Sequence, residues 1–339
     1  MKKLPHLALL LVALHNVSGC TQAQAPAEST TDNAATAADN AWRTRRALYE
    51  YDTTLPLEVK NGTSKETLTA TVQTLHYRGA RGANVPAFYI TPQGVGAGAK
   101  LPAVVLLHGK DGKIEDMLSI GQLLASRGYA SVIPELVGHG ARREKDNPLF
   151  VGKAQRLRDG LIETVQDVRR AVDFLQTKPE VDQQRMGLIG LSLGAMLGTI
   201  TTAVDERIQT AILVVGGGGW KTILAASQES FAQSSRAQGV QEADFALLED
   251  VDPVNFAGHI SPRPVLLLNG RKDDIIPPSS AEVLFNAAKE PKKQIWFPTG
   301  HFIPPTEAGP PMAFWLEEHL KALRPAAPVS TNGGIQPTQ

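Results

Sequence analysis

Short runs rich in β-branched residues alternate with amphipathic stretches along most of the chain, and this alternation restricts it to an α/β architecture with a largely parallel sheet and crossover helices. The runs lie at 68–77, 84–91, 102–107, 129–134, 185–191, 209–215, 263–268 and 293–297, so a central sheet of about eight strands is expected. The first two, joined through Arg78-Gly79-Ala80-Arg81-Gly82, read as a hairpin. Those from Pro102 onward are nearly continuous apolar segments such as Ala103-Val104-Val105-Leu106-Leu107, the composition of strands covered on both faces.

Between the fourth and fifth runs, Leu157, Leu161, Val165, Val168, Val172 and Leu175 recur every three or four residues. That spacing puts them on one face of a helix that should lie flat on the sheet, with Arg158, Glu163, Asp167 and Arg170 on other faces. Further helices are expected over 114–126, 193–204, 279–288 and 311–323.

The ends differ from this pattern. Met1-Lys2-Lys3 followed by the apolar stretch 4–14 has the form of a signal peptide and is too short for a bilayer span of about 20 residues. It closes on Val17-Ser18-Gly19-Cys20, which resembles a bacterial lipobox. That resemblance implies a lipidated Cys20 after removal of 1–19 and, with Thr21 next, anchoring at the outer membrane facing the periplasm. A plain secretory signal giving a soluble periplasmic or secreted protein is the alternative. Cys20 is the only cysteine, so no intrachain disulfide can form. Residues 20–40 lack hydrophobic periodicity and read as a flexible tether, and 324–339 as a disordered tail, leaving 41–323 as one domain. A net charge of +0 offers no basic field for nucleic acid.

The chemistry starts at Gly190-Leu191-Ser192-Leu193-Gly194, a G-x-S-x-G between an expected strand and an expected helix. In that context the serine sits on a tight strained turn, a nucleophile elbow, and the glycines admit neighbouring backbone. The next strand ends carry matching groups. Asp273 and Asp274 follow 266–268 in Asn269-Gly270-Arg271-Lys272-Asp273-Asp274, and His301 follows 295–297 in Pro298-Thr299-Gly300-His301. Open α/β sheets place active sites beyond the carboxyl ends of their strands, and the order Ser, Asp, His is that of a nucleophile, an orienting acid and a general base on such a sheet. His108-Gly109-Lys110-Asp111-Gly112, ending another strand, reads as a turn that offers backbone N–H groups to an oxyanion.

With these motifs, together with Asp252-Pro253 and Val181-Asp182-Gln183-Gln184-Arg185, the stretch 51–320 resembles the α/β-hydrolase superfamily, nearest its dienelactone-hydrolase-like and acetyl-xylan-esterase-like branches. The resemblance implies Ser192, Asp273 and His301 as catalytic residues. It places the acid three residues after Gly270 and four before Pro277, which selects Asp273 over Asp274. It also implies that Lys110 and Leu193 supply the oxyanion-hole N–H groups. The sequence departs from many relatives at Glu135-Leu136-Val137-Gly138-His139-Gly140-Ala141-Arg142-Arg143, where His139 reads as structural and the arginine pair as a solvated edge. Branches with a cysteine nucleophile do not fit, since no cysteine lies near the elbow.

The expected function is therefore carboxylic-ester hydrolysis through an acyl-enzyme, acting on a small-molecule ester. No cofactor is expected, because Gly216-Gly217-Gly218-Gly219 lacks the ending of a phosphate loop and no zinc-like spacing occurs. A peptidase or other acyl hydrolase of the same fold, or a catalytically silent ligand-binding lipoprotein, are the alternatives. Specificity is expected from a small helical lid at about 220–249, whose Phe231, Phe245, Ile223, Leu224 and Leu247 either line an acyl pocket or pack a helix onto the domain.

Overall fold

A computed structural model describes residues 30–144, 149–150, 153–239 and 241–321, with side chains from residue 36 onward. Cys20, the signal-like segment 1–19 and the tail 324–339 lie outside the described residues. The chain divides into two units, Met1–Ala41 and Trp42–Gln339, and the sheet and its site belong to the second.

The strands are β1 (Lys60–Glu66), β2 (Ala70–Arg78), β3 (Asn84–Pro92), β4 (Leu101–Leu107), β5 (Ala130–Pro134), β6 (Val181–Leu191), β7 (Ile208–Val214), β8 (Val265–Gly270) and β9 (Lys292–Phe297). They form one sheet in the order β1-β2-β3-β5-β4-β6-β7-β8-β9. Pairing is antiparallel through β1, β2, β3 and β5 and parallel from β5 through β4 to β9. Among the described residues the sheet thus has nine strands rather than about eight. The unexpected one, β1, reads Lys-Asn-Gly-Thr-Ser-Lys-Glu and is exposed along its whole length. It has no apolar face to show in the sequence, and it is a strand because its backbone pairs with β2, as in Lys65 opposite Val72.

The helices are α1 (Thr30–Ala47), α2 (Leu118–Ser126), α3 (Ala154–Gln176), α4 (Leu193–Val204), α5 (Trp220–Ala226), α6 (Ser230–Ala237), α7 (Glu242–Leu248), α8 (Val254–Ala257), α9 (Pro278–Ala287) and α10 (Pro305–Leu316). Part of the expected tether is therefore helical, since α1 begins at Thr30. The stretch lacks an apolar stripe, but alanine, the best helix former, recurs along it and Arg45 and Arg46 complement the dipole of its last turn. Helix α10 starts earlier than expected, at Pro305, whose fixed φ suits the first helical position, and it continues past Pro310 and Pro311.

Two apolar layers sandwich the sheet. Side chains alternate along β4, with Ala103, Val105 and Leu107 in the layer under α3 and α4, and Val104 and Leu106 in the layer holding Met117, Leu124, Trp315 and Leu316. The whole expected stripe of α3 is buried in the first layer. Its polar flank is covered too. Asp167 accepts from Ala80 N–H at 2.8 Å, and Arg170 donates to Leu55 O at 2.8 Å, so the hairpin turn and the preceding loop close over α3. Among the described residues no helix is long and apolar enough to cross a membrane.

Candidate active site

Three loops at the carboxyl ends of β6, β8 and β9 bring Ser192, Asp273 and His301 together. Ser192 joins β6 to α4 with φ 54° and ψ −114°, a conformation costing on the order of 1–3 kcal/mol for a residue with a side chain. Its N–H donates to Val214 O of β7 at 2.8 Å, which helps hold that turn. The flanking glycines are required by contact. A Cβ on Gly190 would lie 2.1 Å from Gly194 O, and one on Gly194 would lie 2.4 Å from Leu107 O.

His301 Nε2 lies 2.9 Å from Ser192 Oγ, and His301 Nδ1 lies 2.8 Å from Asp273 Oδ2. Asp273 is buried, and its Oδ1 also accepts the N–H groups of Ile275 and Ile276 at 3.0 and 2.9 Å. The acid loop and the histidine loop are joined by backbone bonds, Arg271 N–H to Phe297 O at 2.8 Å and Lys272 N–H to Thr299 O at 2.9 Å. Asp274 instead points to solvent.

Lys110 occupies the turn after β4, closed by Gly112 N–H donating to Gly109 O at 3.1 Å. Leu193 opens α4, where an N–H has no acceptor within the helix. Both residues line the same cavity as Ser192 and His301. His108 is buried beneath the turn, with Nδ1 2.9 Å from Gly109 O and Nε2 accepting the Leu136 N–H at 3.4 Å, so its imidazole holds the turn and leaves the cavity to the backbone. His139 is also buried, which lowers its pKa below the usual histidine value. The arginine pair is not a solvated edge. Arg142 is half-buried and donates to Glu135 O at 3.0 Å and Asp167 Oδ2 at 2.7 Å, while only Arg143 is exposed, paired with Asp111. An arginine beside two acidic side chains of α3 is drawn inward by charge, which a loop sequence does not disclose.

Residues 85–301 match the model of the dienelactone hydrolase family. The chain belongs to that family. It is 25% identical over 205 residues to the uncharacterized protein YfhR of Escherichia coli K12, covering 60% of this chain and 63% of that protein, so the chain spans under two thirds of that relative's length. Among solved structures it resembles an acetyl xylan esterase from Paenibacillus sp. R4, with TM-score 0.72, 21% identity and coverage of 84% of this chain and 95% of that one. It also resembles acetyl xylan esterase 1 from Thermoanaerobacterium sp. JW/SL YS485, with TM-score 0.68, 23% identity and coverage of 83% and 93%. These likenesses establish the α/β-hydrolase fold.

In this member of the dienelactone hydrolase family the cavity beside Ser192 measures about 250 Å3. Of the expected lid side chains, Ile223 and Phe231 line it, whereas Phe245, Leu224 and Leu247 do not. Phe245 packs against the core instead. The segment 220–249 is built from α5, α6 and α7, and Ile223 and Phe231 pack with the core as well as lining the cavity. Met196, Trp220, Glu229, Phe150 and Ile276 line the cavity without having been expected there. Met196 was findable, because it stands one turn after Ser192 on α4 and so shares its face. Trp220 was not, since its position depends on Asp252, whose carboxylate accepts the N–H groups of Gly219 and Trp220 at 2.8 and 2.9 Å. Among the described residues no three His, Cys, Asp or Glu side chains are grouped as a metal site would need.

Proposed function

We propose that the protein hydrolyses carboxylic esters by a Ser-His-Asp acyl-enzyme mechanism. The observation that carries this is the unbroken chain from Ser192 Oγ to His301 Nε2 at 2.9 Å and from His301 Nδ1 to Asp273 Oδ2 at 2.8 Å. With Nδ1–H donating to Asp273, Nε2 is left as the acceptor of the Ser192 proton. Ser192 Oγ attacks the ester carbonyl, and His301 takes the proton and passes it to the departing alcohol. The N–H groups of Lys110 and Leu193 stabilise the tetrahedral oxyanion. Water, deprotonated by His301, then attacks the acyl-enzyme and releases the acid and free Ser192.

An ester substrate is favoured by the acetyl xylan esterases among its structural neighbours and by the esterase YjfP of Escherichia coli K12, 24% identical over 214 residues. The test uses a panel of p-nitrophenyl esters and amino-acid p-nitroanilides, with fluorophosphonate labelling, on the wild type and Ser192→Ala. Ester turnover and labelling that both vanish in Ser192→Ala support the proposal. Turnover confined to the anilides indicates a peptidase, and neither activity nor labelling in the wild type indicates a ligand-binding protein.

A further inference from the structure

Two walls of the cavity beside Ser192 are built in different ways. The wall at Trp220 is fixed: its N–H donates to Asp252 Oδ2 at 2.9 Å, its indole Nε1–H to Val251 O at 3.2 Å, and the side chain is buried. A second wall is residues 227–231, a strap made of the link after α5 and the start of α6 that contributes Ser227, Glu229 and Phe231.

The strap is tied to both sides of the site. Gln228 N–H donates to Asp274 O at 2.7 Å, beside the acid. At the other side Lys110 Nζ donates to Glu229 Oε1 at 2.9 Å, next to the oxyanion turn. Glu229 is also the N-cap of α6, its Oε2 accepting the Phe231 N–H at 2.6 Å. One carboxylate therefore sets both where the strap meets the turn and where α6 begins. Phe231, placed by that cap, meets the edge of Phe150 at 5.5 Å between centroids and completes the apolar lining.

The ion pair is polar and partly exposed, 22% for Lys110 and 21% for Glu229, so it holds the strap more loosely than buried hydrogen bonds hold Trp220. Burial opposes ionisation of both groups. Hydrogen bonds and charge overcome it, raising the Lys110 pKa through Asp111 and Glu229 and lowering that of Glu229 through Lys110 and Ser230. Both stay charged near neutral pH, so the strap is latched in the unliganded enzyme.

We infer that the Lys110–Glu229 ion pair determines specificity, by holding the strap 227–231 as the wall that limits how long an acyl chain fits beside Ser192. This rests on the proposal that Ser192 is the nucleophile of an ester hydrolase. The cavity of about 250 Å3 lies below the range of roughly 300–1,000 Å3 usual for larger ligands, so small acyl groups fit with the strap closed and long ones require it to move. The apolar lining from Met196, Trp220, Ile223 and Ile276 suits an acyl chain.

The test measures kcat/KM for p-nitrophenyl acetate, butyrate, octanoate and decanoate on the wild type, Glu229→Gln and Lys110→Met, the last keeping the backbone N–H of residue 110. Glu242→Gln, which breaks the exposed Lys221 pair away from the cavity, is the control. The decanoate-to-acetate ratio is expected to rise about tenfold in both latch variants, the scale on which pockets discriminate alkyl groups, and to stay at the wild-type value in the control. In the wild type alone, raising the salt concentration should shift the ratio the same way. An unchanged ratio in both latch variants, or an equal loss on all four esters, overturns the inference. Should Glu229→Gln unfold because α6 loses its cap, Lys110→Met decides. Fluorophosphonate labelling separates the two levels: a wild type that labels at Ser192 and turns over esters while the ratio stays fixed refutes the latch alone, and a wild type that does neither refutes the nucleophile and the latch together.

Discussion

Gly270 and Gly300 approach so closely that a Cβ on Gly270 would stand 2.1 Å from the Gly300 carbonyl oxygen and 2.6 Å from that of Thr299. This contact presses the loop bearing Asp273 against the loop bearing His301. Gly270→Ala must move the two apart, which is expected to destabilise the fold by about 1–3 kcal/mol, as overpacking does, and to lower kcat at least tenfold by lengthening the Asp273–His301 bond. Gly96→Ala, with nothing within 4 Å of the added methyl, should change neither. Thermal melts and ester kinetics on both variants check this, and a fully active Gly270→Ala would show that the contact does not set the geometry.

The two neighbouring carboxylates should separate sharply. Asp273 receives His301 Nδ1 and two backbone N–H groups, whereas Asp274 faces solvent and contributes its carbonyl to the strap. Asp273→Asn is expected to lose on the order of a thousandfold or more in kcat by favouring the wrong imidazole tautomer, and Asp274→Asn to stay within about tenfold. Steady-state kinetics that rank them the other way would refute the assignment of the acid.

Acid should weaken the fold partly through Asp205. This buried carboxylate accepts from Arg207 Nη2 at 2.6 Å and Nε at 2.8 Å and from Arg169 Nε at 3.3 Å. Burial alone would raise its pKa, but the hydrogen bonds and charge of Arg207, aided by Arg169, lower it overall. A carboxylate whose folded pKa is depressed contributes stability that is present above its unfolded value of about 3.9 and is lost as pH falls through the folded value. Urea melts between pH 7 and pH 3 should therefore show a shallower loss of stability below about pH 4 in Asp205→Asn than in the wild type. Equal slopes would remove Asp205 from the acid response. At pH 7 the variant should be less stable by about 1–3 kcal/mol, from the hydrogen bonds it forfeits.

We propose that Cys20 carries lipid and holds the enzyme at a membrane, on the strength of Val17-Ser18-Gly19-Cys20 and the signal-like segment before it. One acyl chain binds membranes only marginally, whereas several would anchor the domain firmly. Wild-type protein should fractionate with membranes and lose 1–19, and Cys20→Ser should block lipid attachment and that processing. An unmodified wild-type N-terminus downstream of Cys20 in the soluble periplasmic fraction would instead mean a plain secretory signal.

The local signals in this sequence determined the parallel part of the sheet, the packing stripe of α3, the elbow and the strand ends that bring Ser192, Asp273 and His301 together. Each rests on short-range rules: continuous apolar runs make doubly covered strands, a repeat of three or four makes a helical face, and consecutive parallel strands deliver their ends to one side. Tertiary structure alone decided what has no local signature. The strand β1 exists only because β2 offers it hydrogen bonds, and Arg142 turns from solvent only because α3 brings Asp167 beside it. The cavity is shaped by Trp220 held from Asp252 and by Glu229 held from Lys110, pairs 32 and 119 residues apart. Such contacts depend on where the fold places distant side chains, and the spacing of residues along the chain carries no record of them.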